Sequence, residues 1–130
     1  MQQQRPLVYL ACPYSHDDPA VRHARFEAAN RAAGRLMKDG HLVFSPISHT
    51  HPIAEAEGLP RGWEYWQRFD RAYLAYCHRL VVLSIDGWKR SIGVTSEIAI
   101  AREMGLEIEY INETPNANVT GLAPAQETTK

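Results

Sequence analysis

Four short apolar runs rich in strand formers (residues 6–11, 41–45, 79–85 and 106–111) alternate with three stretches of helical periodicity. The run at 79–85, RLVVLSI, is apolar at nearly every position, as a central parallel strand buried on both faces must be. Together these observations predict an α/β fold: a flavodoxin/Rossmann-like three-layer sandwich on a mainly parallel sheet of four to five strands, joined by right-handed crossovers. Residues 1–111 are read as one domain and 112–130 as a C-terminal tail, since NETPNANVTGLAPAQETTK has almost no large apolar side chains and no means of burying a core.

The elements follow in order. PLVYLA (6–11) ends as a strand at Cys12-Pro13, and the loop CPYSHDD follows. Asp18 then Pro19 makes a helix start, a capping carboxylate followed by proline at the first helical position. Val21, Ala24, Ala28, Ala32 and Leu36 keep helical spacing to about Lys38, and Gly40 stops the helix. HLVFS (41–45) is the second strand. Pro46 to Gly62, with its prolines and weak patterning, reads as a long functional loop with room for one short helix. A helix from about Trp63 to Cys77 precedes the central strand. Another, from about Gly93 to Met104, is stopped by Gly105 and followed by LEIEYI (106–111).

Composition bounds the function. The 130 residues carry 45% apolar and 22% charged side chains and a formal net charge of -1, so no global basic field draws nucleic acid. Arg22, Arg25, Arg31 and Arg35 are spread around their helix rather than striped along it. The two cysteines, Cys12 and Cys77, have neither metal-type spacing nor a disulfide framework, which fits a reducing, cytoplasmic setting. MQQQRPLVYLA is too short an apolar segment for a signal peptide, and no run approaches a membrane span. Asn112 and Asn118 match the glycosylation pattern and, without a secretion signal, read as chance.

In open parallel sheets ligands bind beyond the carboxyl ends of the strands. That rule selects the loops CPYSHDD, SPISHTHP and DGWKRSIG. Two acids fall on apolar helix faces near this edge. Asp70 lies four residues after Trp66 and three before Tyr73, where desolvation should raise its pKa. Glu97 lies three after Val94 and four before Ala101, near enough to a helix start for the dipole to favour its ionised form. Each alone has a structural account, an ion pair for Asp70 and a dipole contact for Glu97 behind a Ser91 or Thr95 cap. As a pair, one ionised and one protonated, they match the nucleophile and general acid of glycosyl transfer through a covalent ester. Tyr14, Trp63, Trp66 and Trp88 are aromatics able to stack a planar base or to fill the core.

These pieces resemble the nucleoside 2-deoxyribosyltransferase-like superfamily, which includes deoxyribosyltransferases and 2'-deoxynucleoside 5'-phosphate N-hydrolases. Tyr9-Leu10-Ala11 resembles the family's first strand, Asp70-Arg-Ala-Tyr-Leu its acid-bearing helix, and Ser91-Ile-Gly-Val-Thr-Ser-Glu97 the glycine-containing turn that leads to its nucleophile. The resemblance spans residues 7 to about 111. It implies Glu97 as nucleophile, Asp70 as the group handling the nucleobase proton, and Tyr9 as the hydroxyl positioning Glu97. It also implies a homo-oligomer and neither metal nor organic cofactor. Tyr14, Ser15, His16, Trp66, Asp86, Trp88, Ser91 and Gly93 are the expected substrate contacts. Six residues before the glutamate, the base-exchanging members tend to carry aspartate and the phosphate-accepting ones serine. Ser91 therefore points to a nucleoside 5'-monophosphate, since a hydroxyl at a helix N-terminus can donate to phosphate. The first loop departs from the family's glycine-rich pattern, Pro13 removing a backbone donor.

The expected activity is thus cleavage or transfer of an N-glycosidic bond of a (deoxy)nucleoside or its 5'-monophosphate, with a small molecule as the partner. The alternative from another class is a protein that binds a nucleotide or nucleotide-sugar and cleaves nothing. A third reading is a metal-dependent hydrolase on His49-Thr-His51, with His41 or His16 as a further ligand, for which spacing specifies no third ligand.

Overall fold

In the computed structural model, which describes residues 6–113, the chain runs β1 (Leu7–Ala11), α1 (Pro19–Lys38), β2 (Leu42–Phe44), α2 (Pro46–Glu57), α3 (Trp63–Leu74), β3 (Arg79–Leu83), α4 (Ile92–Glu103) and β4 (Glu107–Ile111). One turn of 3-10 helix at Trp88–Arg90 leads into α4. The four strands form an all-parallel sheet in the order β2-β1-β3-β4. Tyr9 at its centre pairs with Phe44 on one side and Leu80 on the other. From β1 the chain winds outward to β2, then returns past β1 to β3. The winding direction therefore reverses between β1 and β3, and a crevice opens there at the strands' carboxyl ends.

Strand alternation divides the core into two layers. Val8, Leu10, Val81 and Leu83 face α1, meeting Ala28, Ala29, Ala32, Ala33 and Leu36. Alanines at these positions let the helix lie close to the sheet. Tyr9, Ala11, Leu80 and Val82 face the other way, against Leu74 of α3 and Val94, Ile98 and Ala101 of α4. The predicted three-layer α/β architecture is what the chain adopts.

Three local expectations differ. The buried stripe of α1 includes Arg22 and leaves Ala24 exposed. The Arg22 guanidinium reaches back to the β1–α1 loop, where Nη1 donates to the carbonyls of His16 (2.5 Å) and Asp17 (3.2 Å). Helix α3 ends at Leu74 rather than Cys77, because the amides of Tyr76 and Cys77 turn onto the carbonyls of Tyr73 and Leu74. The segment expected as a long loop with room for one short helix holds such a helix, but α2 takes up twelve of its residues. Pro46 starts it with a preset φ, and Gly58 closes it in the left-handed region at φ 65. Pro52 lies inside it and leaves the Ser48 carbonyl without its usual backbone donor.

Most of the expected tail, residues 114–130, lies outside the described residues. Its first two residues are held against α1: Arg35 Nη2 donates to the Asn112 carbonyl at 3.0 Å, and Arg31 pairs with Glu113. Among the described residues no helix is long and apolar enough to cross a membrane.

Candidate functional site

Alternation along β1 sends the Tyr9 side chain to the α3/α4 face, where it is wholly buried. Helix α4 begins after Ser91, whose Oγ accepts from the Val94 amide at 3.1 Å. Packing of Val94, Ile98 and Ala101 on the sheet then turns Glu97 inward, with 5% of its surface exposed. Tyr9 Oη donates to Glu97 Oε2 at 2.6 Å. Asp70, half-buried on α3, adjoins both and acts electrostatically on each. Three elements far apart in sequence thus deliver three ionisable groups to one point at the switch between β1 and β3.

Burial sets the electrostatics. It pushes the Glu97 carboxyl well above the ordinary range, the Asp70 charge pushes it further, and the Tyr9 hydroxyl pulls the other way. Asp70 is raised by burial as well, against hydrogen bonds to Glu97 and Tyr9 that lower it. Burial and the two adjacent carboxylates drive the Tyr9 phenol well up, keeping it a donor. Two carboxyls side by side cannot both ionise cheaply, so the pair shares one proton and one charge. The helix dipole was expected to hold Glu97 ionised. It lies in the second turn of α4, where the dipole has faded and desolvation dominates. Glu97 feels the Asp70 charge and both acids line one cavity, so the two lie side by side there.

The pair opens into a cavity of about 260 Å³, near the small end of ligand sites. Of the residues expected at the site, Tyr14, Ser15, Trp66, Asp70, Ser91, Gly93 and Glu97 line it. Tyr9 lies beneath and reaches it through Glu97. A Cβ on Gly93 would meet Trp63 Cε3 at 4.0 Å, an ordinary contact, so this glycine leaves the wall open rather than relieving a clash.

His16, Asp86 and Trp88 are not among the lining residues. His16 is exposed, and its Nδ1 accepts from the Asp18 amide at 3.0 Å. Asp86 is exposed and offers its backbone carbonyl to Arg25. Trp88 packs on Tyr110, ring centroids 5.4 Å apart, and belongs to the α3/α4 core layer.

Arg61, Arg90 and His51 line the cavity without having been expected among the substrate contacts. Arg90 adjoins Ser91, so its place in the loop after β3 was the available signal. His51 lies on α2, whose position and buried face the weak patterning of 46–62 does not show. On α2, His49 and His51 are two residues apart and point to different faces. His51 is buried against Tyr14 and His49 is exposed, so the pair does not converge on a metal. Among the described residues no three histidine, cysteine or acidic side chains are grouped to hold one.

Residues 6–113 match the model of a family described as a domain of unknown function (DUF1937). No curated protein matches the chain.

Proposed function

The chain belongs to this family of unknown function, and we propose from its site that it cleaves or transfers the N-glycosidic bond of a (deoxy)nucleoside or nucleoside 5'-monophosphate, with Glu97 as the nucleophile. The observation that carries the reading is the buried Tyr9–Glu97–Asp70 cluster facing a cavity at the sheet's switch point. A structural ion pair would not set two acids side by side without a base. Such a pair costs stability and is kept where its chemistry is used.

Burial and the Asp70 charge leave the shared proton on Glu97 at rest, so attack requires its passage to Asp70, and the Tyr9 hydroxyl favours the negative charge then left on the Glu97 oxygen it touches. Glu97 attacks the anomeric carbon as the base leaves, forming a sugar ester. Water or a second base then releases the sugar. A phosphate-bearing substrate is favoured by the open end of the cavity. Ser91 uses its oxygen to cap α4 and keeps its hydroxyl proton for a ligand, and Arg61 and Arg90 line the same cavity.

The test is release of free base from a panel of ribo- and deoxynucleosides and their 5'-monophosphates. Glu97→Ala should lower turnover of the best substrate by about 10³-fold or more while the protein stays folded. Wild-type turnover in that variant refutes the nucleophile. The strong upward pull on the Glu97 carboxyl favours a second reading, since a protonated acid binds without attacking. Saturable nucleotide binding with no base released on prolonged incubation would establish a binding protein instead.

A further inference from the structure

Attack by Glu97 on the anomeric carbon places the departing base on the opposite face of the sugar. The group that gives that base its proton must stand on that far side. Asp70 lines the same cavity as Glu97 and acts on it electrostatically, so it stands beside the nucleophile. Another proton carrier is needed across the cavity.

The remaining wall, built by the β1–α1 loop and α2, holds one. Tyr14 and His51 both line the cavity, and Tyr14 Oη is hydrogen-bonded to His51 Nδ1. His51 is 8% exposed, its ring pinned against Phe26 with centroids 4.3 Å apart. Near Tyr14 lies Arg22, 6% exposed, whose positive charge is felt by the phenol. Arg22 pairs with no carboxylate among the described residues, and its buried Nε has no hydrogen-bond partner there. A buried cation without a counter-charge is costly. It is offset when a negative charge forms beside it during the reaction.

Resting on the glycosidase reading, we infer that Tyr14 is the general acid for the departing base, with His51 and Arg22 as the positioning residues that stabilise its phenolate. His51 Nδ1–H donates to Tyr14 Oη, which turns the phenol's own proton toward the cavity, and the Arg22 charge lies nearby. In the first step the Glu97 oxygen bonds to the anomeric carbon and the carbon–nitrogen bond breaks, its electron pair staying with the base. The base takes the Tyr14 proton, leaving phenolate beside the His51 donor and the Arg22 charge. In the second step water attacks the anomeric carbon and the bond to Glu97 breaks, its pair returning to the carboxylate. The water proton re-forms the Tyr14 hydroxyl. Burial, and after it the Glu55 charge, keep the free phenol above its ordinary range and so protonated before reaction, while Arg22 and Arg61 oppose that rise.

The experiment compares two leaving groups on the same sugar: a nucleobase, which must be protonated to leave, and 4-nitrophenolate, which need not. The first-turnover burst is measured for wild type, Tyr14→Phe, His51→Gln and Glu97→Gln, with circular dichroism as the folding control. Tyr14→Phe should slow the nucleobase burst about 10²- to 10⁴-fold and leave the 4-nitrophenolate burst within a few-fold of wild type. His51→Gln, whose amide can still donate to Tyr14, should retain more of the nucleobase burst than Tyr14→Phe does. Glu97→Gln should abolish both bursts. Equal losses on the two leaving groups in Tyr14→Phe, or no loss on either, overturn the assignment of Tyr14 while leaving Glu97 in place. Bursts unchanged in Glu97→Gln overturn the nucleophile, and this assignment with it.

Discussion

Removing one oxygen from Tyr9 tests how the nucleophile is held. Tyr9→Phe keeps the buried ring and its contact with Phe44, at 5.9 Å between centroids, and deletes only the donor to Glu97. A hydrogen bond to a charged group contributes roughly 1.5–3 kcal/mol, so kcat should fall about 10- to 100-fold with little change in KM. The Tyr9 bond lowers the Glu97 carboxyl. Its loss should move the acid limb of the pH–rate profile upward. A rise in KM alone, with kcat and the profile unchanged, would make Tyr9 a shaper of the pocket instead. Asp70 and Glu97 were legible as residues because an acid on an apolar helix face breaks the periodicity around it, whereas Tyr9 entered only through the resemblance of its strand. How closely the acids lie was not legible, since spacing along one helix carries no distance to another. Arg22 broke the same rule on α1, but the stripe was drawn through Ala24 and so passed it over.

Helix α4 joins fold to site at the scale of an element. Its cap is the Ser91 oxygen, and Ser91→Ala should cost about 1 kcal/mol of stability. Ser91→Asp separates capping from ligand recognition. Aspartate caps as well as serine, so the unfolding midpoint should stay within a degree or two of wild type, but its charge repels a phosphate at the cavity. The ratio of kcat/KM for the 5'-monophosphate to that for the free nucleoside should fall about tenfold or more. An unchanged ratio would remove phosphate from the N-terminus of α4. The helices with clean punctuation were readable: Asp18-Pro19 opens α1, with Ala20 N donating to Asp18 Oδ1 at 2.9 Å, and Ser91 opens α4. Helix α2 was not, because Pro52 argues locally against a helix that its flanking Pro46 and Gly58, with packing against α1, hold in place. His51 was lost to the reading with it.

The all-parallel sheet was legible across the whole molecule because a run such as Leu80–Leu83, apolar at consecutive positions, has to be covered on both faces. That same burial makes the acid pair a liability to the fold. Asp70 and Glu97 both have carboxyls raised on folding, from ordinary values of 3.8 and 4.5. Above those values the unfolded chain has given up protons that the folded one still holds. Stability contributed by the pair is therefore complete at low pH and declines as pH rises from the ordinary carboxyl range through the raised, folded-state range. Glu97→Gln removes one titrating group while its amide can still accept from Tyr9 and donate to Asp70. The variant should match wild type near pH 4 and exceed it by about 1–2 kcal/mol near pH 8, a gain of several degrees in Tm for a domain of this size. Thermal unfolding of both proteins across that range reads the difference directly. Parallel curves would mean that the pair costs the fold nothing, removing the reason for regarding it as retained for chemistry. Divergence in the stated direction, together with lost turnover in the same variant, would show one carboxyl trading stability for reactivity.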